Sequence, residues 1–352
     1  MKKVRYKRIA LFVALTFALS WGFDAFTAWL GGRSGNPAVH AQPWGMLVPA
    51  SVALFLGMFV YRDSGIHVAD YRERPRLILF AFFILTVVYG LLVIAGTILP
   101  GLGKIVPGVG ALLFTLWTLF TFFIYGQSSK TALEKAGLSL KNIAAGQKFV
   151  FGIILFLGVQ AVCNMAFGLG EFRGVLDRIY SIPIPSPLYY PVLAVFFVAV
   201  TVIGVPLSGL AAFFGEEYGW RGFLQSETVN AGTIRGVICV GVIWGFWHIP
   251  VILRGVHTYP PTLLGFSAGF VFFMLWGMIQ GYAILKTRCI WIAAFMHGVV
   301  NSVYSFILTY IVRPHDMMFS FGLGLYGIAC LCIVVMFVLL DPVWKKNVDE
   351  SV

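Results

Sequence analysis

Charge is what this 352-residue chain has least of: Asp, Glu, Lys and Arg make up 11% of it, where a soluble domain carries about 25%. So little charge cannot cover a globule in water, which excludes soluble, secreted and disordered classes. The five cysteines (Cys163, Cys239, Cys289, Cys330 and Cys332) sit in or beside apolar runs without metal-type spacing and read as small buried hydrophobes. There is no Walker loop, no nucleotide-binding fingerprint and no compact His-Glu-x-x-His zinc motif. Internal repeats and low-complexity tracts are missing too, as is the ten-residue alternation of a membrane barrel.

What the chain does have is apolar length. Hydrophobic residues reach 59% and the mean hydropathy is +0.89. Crossing about 30 Å of hydrocarbon takes roughly 20 apolar residues as a helix, and ten such runs follow one another: 9–30, 44–61, 77–99, 106–126, 149–168, 188–215, 234–253, 262–285, 289–312 and 319–340. Backbone groups in lipid must bond within their own segment, so the expected fold class is all-α, a polytopic transmembrane helix bundle of about ten helices. The segment 127–148 reads as a short amphipathic helix at the surface, and 169–187 as a connector.

The net charge of +11 is explained by topology. With the amino terminus inside, ten crossings leave only Arg33, Lys104, Arg173, Arg178, Arg254 and Arg313 outside and place every other Lys and Arg, Arg221 included, on the cytoplasmic side. An odd helix count would weaken this asymmetry. The expectation is an integral, multi-pass protein of the cell membrane, both termini cytoplasmic, whose partners are the lipid bilayer and a membrane-associated protein or peptide, with no nucleic acid. The first apolar run is too long for a signal-peptide core, and the small-residue site near Ala41 lies too far beyond it, so the first helix is read as retained.

Any chemistry must come from polar groups in apolar surroundings, which are costly at membrane depth and are functional candidates for that reason. Eleven of the 14 acidic residues read as loop or tail residues, leaving Asp24, Glu216 and Glu217. Of six histidines, His40, His67, His257 and His315 fall in loops, leaving His248 and His297. Asp24 reads as a helix-packing hydrogen bond. The rest form three patterns. Glu216-Glu217-Tyr218-Gly219-Trp220-Arg221 stands at the cytoplasmic end of a long helix kinked by Pro206, with Glu217 and Arg221 on one face as an ion pair and Glu216 about 100° away from Glu217. Trp244-Gly245-Phe246-Trp247-His248 places a histidine one turn beyond a tryptophan within an aromatic wall. His297 and Asn301 are four apart and share a helix face. A carboxylate base, an imidazole that holds water and further hydrogen-bond donors are the parts needed to hydrolyse an amide, with no Ser or Cys nucleophile implied.

In this order, Glu-Glu-x-x-x-Arg, aromatic-x-x-x-His and His-x-x-x-Asn resemble the CAAX protease and bacteriocin-processing (CPBP or Abi) family, related to the Ras-converting CAAX endopeptidase. The resemblance spans roughly 205–305, with Gly215 to Leu224 its most characteristic stretch. It implies an intramembrane endopeptidase with a core of eight helices and a polar cavity opening toward the cytoplasm. By motif position Glu216 would be the general base, His248 would share the catalytic water, and His297 with Asn301 would form the oxyanion site. Glu217 and Arg221 would organise that centre. Trp244 stands where the family has Phe, and Trp244 and Phe246 are expected to wall the substrate cavity.

Three portions follow: motif-free helices over 1–180, a catalytic portion over 181–312, and a last helix and tail over 313–352. No cofactor is expected. One alternative is a zinc-dependent protease with Glu216, His248 and His297 as ligands. The other is a non-catalytic bacteriocin-immunity or transport protein, for which no paired broken helices or internal symmetry are visible.

Overall fold

The computed structural model describes residues 4–34, 41–61, 73–172, 186–254, 260 and 262–345. The expected boundary at 180/181 and the histidines His40, His67 and His257 lie outside these residues. The chain is an all-α bundle: α1 (Tyr6–Ser34), α2 (Ala41–Phe55), α3 (Pro75–Ile98), α4 (Val106–Tyr125), a short α5 (Lys130–Lys135), α6 (Ile143–Ala166), α7 (Ser186–Phe197), α8 (Leu210–Glu217), α9 (Thr233–Trp247), α10 (Ile249–Leu253), α11 (Leu263–Thr287), α12 (Ile290–Tyr310) and α13 (Leu325–Leu339). One two-stranded ribbon pairs β1 (Gly170–Phe172) with β2 (Val312–Pro314).

Among the described residues nine helices are long and apolar enough to cross a membrane, and α13 adds a shorter apolar helix of 15 residues. The chain is thus an integral, multi-pass membrane protein. The run expected to be helical from 319 begins only at Leu325, because Gly322 takes a left-handed φ of +67° and turns the chain just before it.

Consecutive crossings run antiparallel. Near one face of the bundle lie the starts of α1, α3, α6, α9 and α12 and the ends of α4, α11 and α13, tied by ion pairs from Arg8 to Glu227 (3.4 Å), Lys135 to Glu73 (3.5 Å) and Lys286 to Asp341 (2.9 Å). Asp341, just beyond α13, is held down to about 2, first by the Val343 amide and then by Lys286 and Tyr282. At the other face Ser34 Oγ donates to Thr97 O at 2.8 Å, and β1 pairs with β2.

The expected helix over 188–215 is divided. From α7 a wide turn (Val198–Gly204) leads to Val205–Ser208, Gly209 breaks the run, and α8 follows. From α8 a second wide turn (Tyr218–Leu224) continues to Gln225–Thr228. Glu216 and Glu217 therefore do not stand at a cytoplasmic helix end, because a further eleven residues of helix separate Glu217 from Val229. Polar residues made 218–228 read as the start of a loop, yet their side chains find partners inside the bundle, among them Arg221 with Glu217 and Gln280. Gln225 Nε2 donates to Gly281 O (3.1 Å), and Glu227, 4% exposed, pairs with Arg8. Glu227 and Arg221 thus leave the loop and cytoplasmic sets to which the sequence assigned them.

Helices in lipid gain little from hydrophobic association and depend on close packing of small residues. The segment carrying the acidic pair lies directly on α2. A Cβ on Gly215 would come within 2.8 Å of the Leu47 Cα, and one on Gly219 within 2.7 Å of the Pro49 carbonyl oxygen. The cysteines are free: Cys289 is buried, Cys163, Cys330 and Cys332 are half-buried, and Cys239 lies exposed on the outer surface of α9, contrary to its reading as a buried hydrophobe.

Candidate active site

Glu216 and Glu217 are both buried and face different neighbours, as the 100° rotation between adjacent helical residues requires. Trp244 Nε1 donates to Glu216 Oε2 at 2.7 Å, so the tryptophan at the aromatic position of the second motif holds the acid of the first. Glu217 turns the other way into a closed network. Arg221 Nη1 lies 3.1 Å from its Oε2, Gln280 Nε2 donates to Oε1 at 3.1 Å, and His297 Nδ1 sits 2.8 Å from the same oxygen. Arg221 also donates to Gln280 Oε1 at 2.6 Å, and its guanidinium lies over the Trp244 ring at 4.4 Å.

The imidazoles are oriented by different partners. His248 Nδ1 is 2.8 Å from Trp244 O; a carbonyl only accepts, so Nδ1 carries a proton. Phe273 stacks on the His248 ring at 3.6 Å and fixes its plane. His297 donates Nδ1–H to the Glu217 carboxylate and packs against Phe213 and the edge of Trp244, with centroids 5.2 and 5.9 Å away.

These side chains meet at one cavity. Glu216, His248, His297 and Asn301 all line a space of about 80 Å³, enough for water. Its remaining walls include Ser20, Trp21 and Asp24 of α1, Gln42 and Met46 of α2, and Phe273 of α11. Asn301, one turn beyond buried His297, is exposed. Helices from the motif-free part of the chain thus wall the site. Glu217 and Arg221 stand behind it, outside the lining.

Two placements differ from expectation. Phe246 is 45% exposed and packs on Phe270 at the bundle surface, away from the cavity, because its position on α9 is two residues and about 200° from Trp244. Asp24 makes the interhelical bond expected of it, an ion pair with Arg254, whose Nη2 also donates to Asp24 O at 3.0 Å, and departs from expectation only in lining the cavity. Sequence reasoning missed Phe273 and Gln280. A glutamine inside an apolar helix is a signal of the same kind as a buried histidine; a phenylalanine there carries none.

The zinc set does not fit this arrangement. Among the described residues no three His, Cys, Asp or Glu side chains are grouped so as to hold a metal ion.

A helix bundle with a buried Glu/His centre defines the class as a membrane protein with an embedded polar site. Residues 186–303, about a third of the chain, match the family model described as type II CAAX prenyl endopeptidase Rce1-like. The resemblance to CAAX proteases is thereby shown over the stretch that carries all three motifs, and the matched family is one of membrane proteases. No curated protein and no solved structure matches the chain.

Proposed function

We propose that the protein is an intramembrane endopeptidase that hydrolyses a peptide bond of a membrane-associated protein or peptide with a water activated by Glu216 and His248. The observation that carries this reading is the convergence of Glu216, His248, His297 and Asn301, from three separate motifs, on one water-sized cavity.

In this reading Trp244 fixes one oxygen of Glu216, and the carboxylate takes a proton from the water as its oxygen attacks the peptide carbonyl. His248 Nε2 accepts the second water hydrogen and sets the angle of attack. The carbonyl oxygen, now negative, is held by the Asn301 amide and by His297 Nε2. Donation from Nε2 requires protons on both nitrogens of His297, and Glu217 supplies the counter-charge at Nδ1. Two carboxylates, one guanidinium and one imidazolium then balance within the buried network. When the tetrahedral intermediate collapses, the C–N bond breaks and Glu216 returns its proton to the leaving nitrogen. The products are a carboxylic acid, whose proton passes to the released amine, and that amine as an ammonium. The chemistry is assigned to this chain's own side chains, with no cofactor.

The test is Glu216→Gln. Glutamine keeps an oxygen for the Trp244 indole, so expression and thermal unfolding in detergent should stay near wild type. Turnover should fall by about 10²–10⁴, the usual contribution of a general base. Retention of more than about a tenth of activity would remove Glu216 from that role.

A further inference from the structure

A second space, a groove of about 600 Å³, lies between α4, α6, α12 and the segment ahead of α8 that holds Val202, Pro206 and Leu207. It shares no lining residue with the water-sized cavity. Helix α12 divides the two: Ile292 and Phe295 face the groove, and His297, about 200° around the helix from Phe295, faces the cavity. The groove wall is almost wholly apolar. Of its few polar groups, the Trp291 indole and the Tyr125 hydroxyl are both turned to the Leu138 carbonyl, with Trp291 Nε1 at 3.1 Å.

On α6 the groove is lined by a stripe of Ile143, Gln147, Val150 and Ile154, spaced by three and four residues. At 1.5 Å per residue the stripe rises about 16 Å, close to half of the ~30 Å hydrocarbon thickness. The groove is thus as long as the chains of one leaflet. Phe122 and Phe151 on its wall are exposed, so it opens sideways between membrane-spanning helices.

One end of the groove is charged. Ile143 begins α6 at the face where Lys135 and Lys286 make their ion pairs. Lys141 stands two residues before Ile143 and Lys148 directly after Gln147, and both are exposed. A helical Cβ points toward the N-terminus, so the long Lys148 side chain leans back to this rim. Asn142 Nδ2 donates to Thr287 O at 3.2 Å, which brings the exposed Arg288 to the same rim. The chain has no Asp or Glu between Glu134 and Glu171, so α6 carries no acid to offset these cations.

We propose that the groove binds one anionic phospholipid, with an acyl chain along the α6 stripe and the phosphate among Lys141, Lys148 and Arg288. The apolar stripe takes the chain, Gln147 offers its amide to an ester oxygen, and the cations take the phosphate, as basic pockets between membrane helices do. A zwitterionic lipid gains the chain contacts without the net charge. Nothing in this site depends on what the Glu216 centre does, and it is tested without proteolysis.

The full chain, purified in detergent, is titrated with dioleoyl-phosphatidylglycerol or dioleoyl-phosphatidylcholine, and bound lipid is counted by native mass spectrometry. One phosphatidylglycerol should bind more than about tenfold more tightly than phosphatidylcholine, since each lysine near an anionic headgroup is worth about fivefold. Lys141→Ala combined with Lys148→Ala should weaken phosphatidylglycerol by about twentyfold and leave phosphatidylcholine unchanged. Both lysines are exposed, so this variant should keep the wild-type unfolding midpoint. Ile143→Trp, which fills the charged end of the groove from an exposed position, should weaken both lipids. Equal affinity for the two lipids in the unaltered protein, or an undiminished preference in the lysine variant, overturns the proposal. So does binding of both lipids that Ile143→Trp leaves unchanged, which would place the lipid elsewhere on the bundle.

Discussion

Removing Arg221 should unfold the protein more readily than removing any surface charge, and the structure gives the size of the effect. Arg221 and Glu217 are both 0% exposed in their side chains, so water does not screen the pair. Truncating Arg221 to alanine strips Glu217 of an ion-pair partner, leaves Gln280 Oε1 without its 2.6 Å donor and removes the cation above Trp244. Breaking a buried pair from one side costs about 3–5 kcal/mol. Glu217→Ala should cost a similar amount, since it also strands Gln280 and His297. The double variant leaves no uncompensated charge in the pair, and the two single effects should overshoot the double by about 1–3 kcal/mol. Activity should not return with stability, because His297 has lost the carboxylate that orients it. The assay is equilibrium unfolding in detergent for the four proteins of the cycle, with turnover measured on each. Additivity within about 0.5 kcal/mol would refute the coupling and reopen Glu217 as a second catalytic carboxylate.

His297→Ala and Asn301→Ala should each lower kcat by about 10²–10³ if both donate to the oxyanion. Only His297→Ala should also lower stability, because Asn301 is exposed while His297 is bonded to Glu217; a variant that raises KM at constant kcat moves that residue to substrate binding. Gly219→Ala drives a methyl into the backbone at Pro49 and should destabilise by about 1–3 kcal/mol or more, read as a lowered unfolding midpoint. Turnover of the purified protein should be unchanged by a strong metal chelator; loss restored by zinc would reinstate the Glu216, His248 and His297 ligand set.

The three motifs and the helical class were readable from the sequence because each depends on rare letters. An acid or a histidine in an apolar run is conspicuous, and four-residue spacing shows which side chains share a face. The continuation of helix through Tyr218–Thr228 was not legible, since Arg221, Gln225 and Glu227 resemble a loop until their partners Glu217, Gly281 and Arg8 are known, and those partners are distant in sequence. Phe246 and Phe273 show the same limit for aromatics. Both are phenylalanines in apolar helices, yet one faces outward and the other stacks on His248. Apart from Asp24, an acid in an apolar run, the contribution of α1 and α2 to the cavity left no trace in the sequence, because Ser20, Trp21, Gln42 and Met46 follow no pattern.

Gly215 and Gly219 bracket the acidic pair, and both are pressed against the backbone of α2. That contact makes the acid and the α2 wall of the cavity one mechanical unit: neither can shift without carrying the other. The width between Glu216 and α2 is therefore a constant of the protein, set by the absence of two methyl groups. Room for a peptide has to be found on the remaining sides, where α1 is joined to the end of α10 by the salt link between Asp24 and Arg254 and not by interlocked backbone.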